Sequence, residues 1–146
     1  MAAATGPKGS LELRAFIVQL GKMPKDVRRD LRPRMKGIGQ AALFNVRLQT
    51  IWSTRIPRAT RLSIGLSKRN PGIAITVDRN KAPHARPYNN DDKEGTFRHP
   101  LFGNRKHWYT QVARPFLVKG ARPYFEKIDA ELSATVDEAA RKAGFR

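Results

Sequence analysis

The chain has no cysteine, which excludes disulfides and thiolate metal sites at once. Acidic residues are scarce: 12 Asp and Glu stand against 29 Lys and Arg, for a formal net charge of +17. From Leu31 to Val77 there is no acidic residue, but nine basic ones fall there: Arg32, Arg34, Lys36, Arg47, Arg55, Arg58, Arg61, Lys68 and Arg69. An imbalance this large implies an acidic partner: nucleic acid, an anionic surface or an acidic protein face. The plain alternative is a solvated basic surface that serves solubility. Five of the twelve acids crowd between Glu126 and Glu138, so one end is expected to be positive and another nearly balanced. No apolar run is long enough to cross a bilayer, so no membrane partner is expected. Met1 to Ser10 lacks the apolar centre of a secretory signal, and the absence of cysteine fits a cytosolic synthesis route.

What is present fits one domain over residues 1–146, with 40% hydrophobic residues for a modest core. Residues 1–9 read as a flexible tail. Leu11, Leu13, Phe16, Ile17 and Leu20 have helical spacing, with Ser10 as N-cap and Gly21 as stop, which predicts a short helix over 11–20. After Met23-Pro24-Lys25-Asp26, a stripe of Val27, Leu31, Met35, Ile38, Ala42 and Val46 predicts a long helix to about Trp52. Pro33 predicts a kink in it, or a helix that begins there. Ser53 to Ala59, with Pro57, is a connector. Leu62, Ile64 and Leu66, then Ile73, Ile75 and Val77, alternate with small or polar residues around an Asn70-Pro71-Gly72 turn signal. This predicts a hairpin with one buried face. Tyr124, Ile128, Leu132, Val136, Ala139 and Ala143 form a second helical stripe, with Pro123 in its first turn and Gly144 as its stop. The fold class is α+β. A small antiparallel sheet is packed by a long N-terminal helix and a C-terminal helix, with a long irregular arm.

That arm, over 82–107, is the most particular stretch. The segment from Ala82 to Leu117 holds all three histidines, the pair Trp108-Tyr109, and Phe97, Leu101, Phe102, Phe116 and Leu117. So many apolar residues do not suit a solvated linker; they suit a functional loop or an arm that packs on something. Asn89 to Gly95 reads as a polar, mobile tip, and Trp108 to Val112 as a further strand. His99, Asn104 and His107 have the residue types of a metal-dependent His-Asn-His nuclease. Their spacing is too tight for that site, and no carboxylate stands beside them to complete it. There is no Walker phosphate loop, no GxGxxG after a strand and no GxSxG. No enzyme activity, metal or cofactor is therefore expected. Basic residues interleave with aromatics at Phe97-Arg98-His99 and at Arg105-Lys106-His107-Trp108-Tyr109, which suits base stacking. The prolines and Phe102-Gly103 favour a packing role, with the aromatics as interface plugs.

Four runs resemble the tail-completion (neck) family of long-tailed double-stranded DNA phages, in the version carried by phages of actinobacteria. They are Trp52-Ser53-Thr54-Arg55-Ile56-Pro57, Ala82-Pro83-His84-Ala85-Arg86-Pro87, Phe97-Arg98-His99-Pro100-Leu101-Phe102-Gly103-Asn104 and Arg114-Pro115-Phe116-Leu117. The likeness covers Val27 to the C-terminus, and the block from Phe97 to Asn104 is its specific part. Pro57, Thr60, Leu62, Ser63 and Ile64 echo a Pro-x-x-Thr-Gly-x-Leu-x-x-Ser-Ile pattern of the family without its glycine. Glu94, Gly95 and Thr96 stand where the family carries an acidic residue with a Gly-Thr pair. The resemblance implies a structural virion protein at the top of the tail, assembled in the host cytoplasm. It implies a homo-oligomeric ring, often a hexamer, that joins the tail terminator and tail tube to the head connector or stopper, with genomic DNA in its lumen. Pro83, His84, Ala85, Arg86, Phe97–Asn104, Trp108 and Arg114–Leu117 are then expected at subunit or neighbour interfaces. Arg47, Arg55, Arg58, Arg61, Lys68 and Arg69 are expected to meet DNA or an acidic partner. Tail terminator and head-tail connector or stopper are neighbouring alternatives within the phage, and a nonspecific nucleic-acid-binding protein is the alternative outside it.

Overall fold

Strand pairing sets the architecture. In the computed structural model, which describes residues 2–5, 11–16, 22–67, 69, 71–142 and 144, the first elements are β1 (Ala2–Thr5), β2 (Leu11–Phe16), α1 (Lys25–Leu48) and α2 (Arg55–Ala59). Then come β3 (Thr60–Gly65), β4 (Gly72–Val77), α3 (Ala85–Asn89) and a 3-10 turn (Asn90–Asp92). The chain ends with β5 (Thr96–Leu101), β6 (Asn104–Val112) and α4 (Phe116–Lys142). Four strands make one antiparallel sheet in the order β1-β2-β4-β3, and β5 and β6 pair with each other in a separate two-stranded sheet. The helices α1 and α4 pack on each other, and α1 lies on β3 and β4. The α+β class holds. Among the described residues no helix is long and apolar enough to cross a membrane.

The expected helix over 11–20 is instead a strand as far as Phe16. Leu11 and Leu13 stand in register with Val77 and Ile75 of β4 and are buried. The polar residues that alternate with them, Glu12 and Arg14, face the other way. Arg14 Nε meets Glu12 Oε1 at 2.9 Å, and Thr76 Oγ1 donates to Glu12 Oε2 at 3.3 Å. Alternation over four residues decided the local structure, because a central strand with open edges was waiting for a partner. Ser10, Ile17 to Leu20 and Gly21 lie outside the described residues. The expected flexible tail is corrected too: Ala2–Thr5 pairs with β2, while residue 1 and residues 6–9 lie outside the description.

The expected hairpin β3–β4 forms, with Leu62 opposite Ile75 and Ile64 opposite Ile73. One buried face describes β3. The central strand β4 is buried at every position but Thr76, because neighbours flank it on both sides. Ala74 is small enough to sit between Arg14 and Ser63 in register. Asn70 of the turn lies outside the described residues.

Helix α1 begins at Lys25, well before Pro33, and runs through it to Leu48 rather than Trp52. Pro33 is exposed, so the backbone acceptor it leaves unpaired is on the solvent side. Leu31, Met35, Gly39, Ala42 and Val46 form the buried stripe. A tight turn then closes the helix, with Thr50 Oγ1 donating to the Val46 carbonyl at 3.2 Å. Helix α4 begins at Phe116, so Pro123 lies inside it rather than in its first turn. Phe116, Leu117, Ala121, Phe125, Ile128 and Leu132 are buried. Gly144 has φ 83° and its N–H reaches the Arg141 carbonyl at 3.1 Å, as expected of a helix stop. The two helices approach closely at Gly120, where an added Cβ would lie 2.6 Å from Val46 Cα.

The arm is not irregular. Its first part folds onto the body: Ala82, Ala85 and Asn89 are buried. Asn89 to Gly95 is no tip. Asn90, Asp91 and Asp92 take left-handed conformations, which short Asn and Asp side chains tolerate. The second part is the β5–β6 hairpin, longer than the strand expected from Trp108 alone, and its tip is Phe102-Gly103.

Candidate interaction surface

The hairpin starts and ends at one tightly tied root. Ala113 N–H donates to the Gly95 carbonyl and Arg114 N–H to the Tyr88 carbonyl, both at 2.7 Å. Lys119 Nζ lies 2.8 Å from Glu94 Oε1. Arg114 sits over the Trp52 ring at 4.8 Å. From Trp52 a ladder of rings climbs the arm: Tyr88 at 4.7 Å, Phe97 at 5.1 Å, His99 at 5.9 Å and Tyr109 at 6.4 Å. The ladder follows from strand alternation. Phe97 and His99 are two apart on β5, and His99 is opposite Tyr109, so all three share one face. The other face carries Arg98, Thr110, Pro100 and Trp108, with Arg98 over Trp108 at 5.7 Å.

The tip is strained and bare. Phe102 has φ 47° and Gly103 φ 79°, so both central residues of the two-residue turn are left-handed. Asn-Gly is the usual choice there. An aromatic residue in that conformation costs about 1–2 kcal/mol, and Phe102 is 99% exposed, so no contact within the chain offsets the cost. Beside it the pairing jumps from Pro100–Trp108 to Leu101–Asn104. Arg105, Lys106 and His107 therefore bulge out of the ladder, all exposed. The hairpin thus offers Phe102, Trp108, Tyr109 and Val112 as exposed apolar groups among cations, with no acidic residue between Thr96 and Phe125.

Several residues expected at an interface are elsewhere. Phe116 and Leu117 are in the core, Ala85 is buried and so is Pro115. These four serve folding, because the start of α4 and the α3 turn close the body below the arm. Pro83, Arg86, Arg98, Phe102, Gly103, Asn104, Trp108 and Arg114 are exposed, while His84, Phe97, His99, Pro100 and Leu101 are partly so. Of the basic candidates, Arg47 is tied inward: its Nε donates to the Pro57 carbonyl at 3.1 Å and its Nη2 to the Thr60 carbonyl at 2.9 Å. Arg55, Arg58, Arg61 and Arg69 are exposed, and Lys68 lies outside the described residues. Trp52 and Tyr88, the base of the ladder, were not singled out as a pair. Their separation in sequence hid it.

Asn89 is the buried keystone of the root. Its Oδ1 accepts from Leu117 N–H at the start of α4, at 3.2 Å, and its Nδ2 donates to Asp92 Oδ1 at 2.8 Å. Burial raises the Asp92 pKa, against the hydrogen bond from Asn89; Asp91 adds to the rise and Arg122 opposes it. His84 lies 3.2 Å from Ser53 Oγ with its ring edge-on to Tyr88. Burial, then Arg55, pushes its pKa below the ordinary 6.5. A depressed histidine contributes stability that is present above its unfolded pKa and is lost as pH falls through the folded value. Asp92, shifted up, works in the opposite sense at carboxylate pH. Between about pH 7 and pH 5 the protein should therefore lose stability that a His84→Gln variant retains. Urea midpoints across that range check this; parallel pH profiles for the two proteins would exclude it.

Among the described residues no group of three His, Cys, Asp or Glu stands close enough to hold a metal ion. Compared with protein-family models, curated proteins and solved structures, the chain matches none.

Proposed function

We propose that the chain is a structural subunit of a phage neck: a ring protein that joins the tail tube and terminator to the head connector, as a tail-completion protein does. The observation that carries this reading is the free-standing hairpin whose tip presents Phe102 fully exposed at φ 47°. A chain that holds a large apolar side chain in a costly conformation, with nothing of its own against it, has a use for it outside itself. A contact between one subunit's arm and a different surface of the next is head-to-tail, and such contacts close into rings when the rotation permits. The likeness of the Phe97–Asn104 block to the neck family supports the same reading, and so does a root tied firmly enough to aim the arm. In this reading the chain has no catalytic role, and its place is the virion at the top of the tail.

The test is native mass by mass photometry, at low and physiological salt, with and without tail tube and terminator proteins. A discrete ring is expected, alone or with those partners. Phe102→Ala should abolish the ring while leaving the melting temperature unchanged, because the exposed ring makes no stabilising contact within its own chain and alanine keeps the Cβ that sets the cost of the turn. Complete, infectious particles assembled with Phe102→Ala would refute the arm contact.

A further inference from the structure

The hairpin does not use the densest run of cations in the fold. Lys25, Arg28, Arg29, Arg32 and Lys36 recur along α1 at the spacing of one helical face. The first four, with Leu66, line a shallow groove of about 290 Å³. The row is about 16 Å long. Arg28 is set into its floor: its Nη1 donates to the Leu66 carbonyl at 2.7 Å, which pins the guanidinium where α1 meets the end of β3. Its Nε is buried and has no partner.

Among the described residues, little neutralises this row. The acids nearest in sequence, Asp26 and Asp30, lie on the flank of the face. They meet only Arg29, at 3.9 and 3.8 Å, with all three side chains at least three-quarters exposed. Ion pairs that long and that solvated are weak and easily exchanged. Lys25, Arg32 and Lys36 are exposed.

We propose that this face of α1 binds the phosphate backbone of nucleic acid, without reading its sequence. Duplex DNA presents a phosphate about every 3.4 Å along each strand, so a row this long meets several at once. Guanidinium groups hold phosphate oxygens in pairs. The groove is open and shallow, with Leu66 as its one apolar lining residue, which suits a polyanion rather than a small apolar ligand. The site differs from the arginines of α2 and β3 expected from sequence, and it lies at the opposite end of α1 from the arm root at Trp52. It does not depend on the ring reading, since a free chain and a ring subunit present it alike.

The test is fluorescence anisotropy with a labelled duplex of about 20 base pairs, over roughly 50 to 200 mM salt. Three full-length proteins are compared: wild type; Lys25→Gln/Arg29→Gln/Arg32→Gln; and the hairpin control Arg98→Gln/Arg105→Gln/Lys106→Gln, which removes equal charge. Arg28 is left intact because it is part of the fold, and thermal melts establish that all three are folded. Loss of three phosphate contacts should lower the log–log salt slope by about 2.7 and weaken binding on the order of 100-fold at 0.15 M salt. The hairpin control should lose less than a tenth of that fold-change. Equal losses in the two variants, a larger loss in the hairpin control, or no wild-type binding at 0.15 M salt would each overturn the proposal. So would competition by poly-glutamate as strong as that by unlabelled duplex, which would assign the face to an acidic protein. Ring formation by the α1 variant is read separately, so loss of DNA binding and loss of assembly are told apart.

Discussion

Gly120→Ala should unfold much of the population at a denaturant concentration the wild type withstands. The added Cβ would lie 2.6 Å from Val46 Cα, 2.6 Å from Val46 Cγ2 and 2.8 Å from Val46 N. Two of those atoms are backbone, so no rotamer change relieves the clash and α4 must move off α1. That movement would also break the hydrogen bond from Asn45 Nδ2 to the Gly120 carbonyl, now 2.8 Å. Overpacking commonly costs 1–3 kcal/mol. A clash with backbone at the principal helix contact should cost about 3 kcal/mol or more, even after the gain in helix propensity from Gly to Ala of about 1 kcal/mol. For a chain of this size the melting temperature should fall by roughly 6–12 °C. Gly39→Ala is the internal control. Its Cβ would also meet an atom at 2.6 Å, but that atom is Leu62 Cδ1, the end of a side chain that is only partly buried. Leu62 can rotate, so Gly39→Ala should cost about 1 kcal/mol or less. Urea midpoints of the three proteins decide it; equal midpoints for the two glycine variants would refute this account of the helix contact.

Asn89→Leu should cost a comparable amount by a different route. The substitution keeps the branched shape but puts larger methyl groups in place of the amide, and it removes both polar contacts. Leu117 N–H would be left without its acceptor in a buried position, and an orphaned buried donor costs about 1–3 kcal/mol. The loss of the donor to Asp92 also loosens the left-handed run of Asn90, Asp91 and Asp92. Destabilisation of about 3 kcal/mol is expected. Hydrogen exchange should show where it falls: the first turn of α4 and the segment 82–95 lose protection, while β4 keeps it. Uniform loss across the whole chain, or none, would show that Asn89 is not the tie between arm root and helix.

Part of this was legible in the sequence. The stripes of α1 and α4 and the alternation of β3 and β4 are long enough to carry their own period, and all four elements form. Leu11 to Leu20 was ambiguous because Leu13, Phe16, Ile17 and Leu20 have helical spacing while Leu11 and Leu13 alternate. The choice was made by Ile75 and Val77, far along the chain, which no local pattern reports. Pro24 marked the beginning of α1, whereas Pro123 led the start of α4 to be placed too late. Pro33 and Pro123 both lie on exposed faces, where a missing hydrogen bond is made good by water. The arm was harder. Its residues identify it as a surface of consequence, and the Phe102-Gly103 pair marked its tip only once both residues were seen to be left-handed. The ladder joins Trp52, Tyr88, Phe97, His99 and Tyr109 from four separate segments of the chain, and so has no sequence signature. The cations of α1 were partly counted as net charge, but a count does not show that Lys25, Arg28, Arg29, Arg32 and Lys36 share one face.

The ring ladder also sets how accurately the arm is aimed. β6 extends about 30 Å, so a rocking of about 5° at its root carries Phe102 sideways by roughly 2–3 Å, more than half the width of a methyl group. In a closed assembly each such error is passed to the next copy and adds around the circle. If copies of the chain close into a ring as proposed, the packing of Tyr88 between Trp52 and Phe97 would bear less on whether the chain folds than on how many copies complete a turn. Tolerance at the hinge, rather than adhesion at the tip, would then fix the size of the circle.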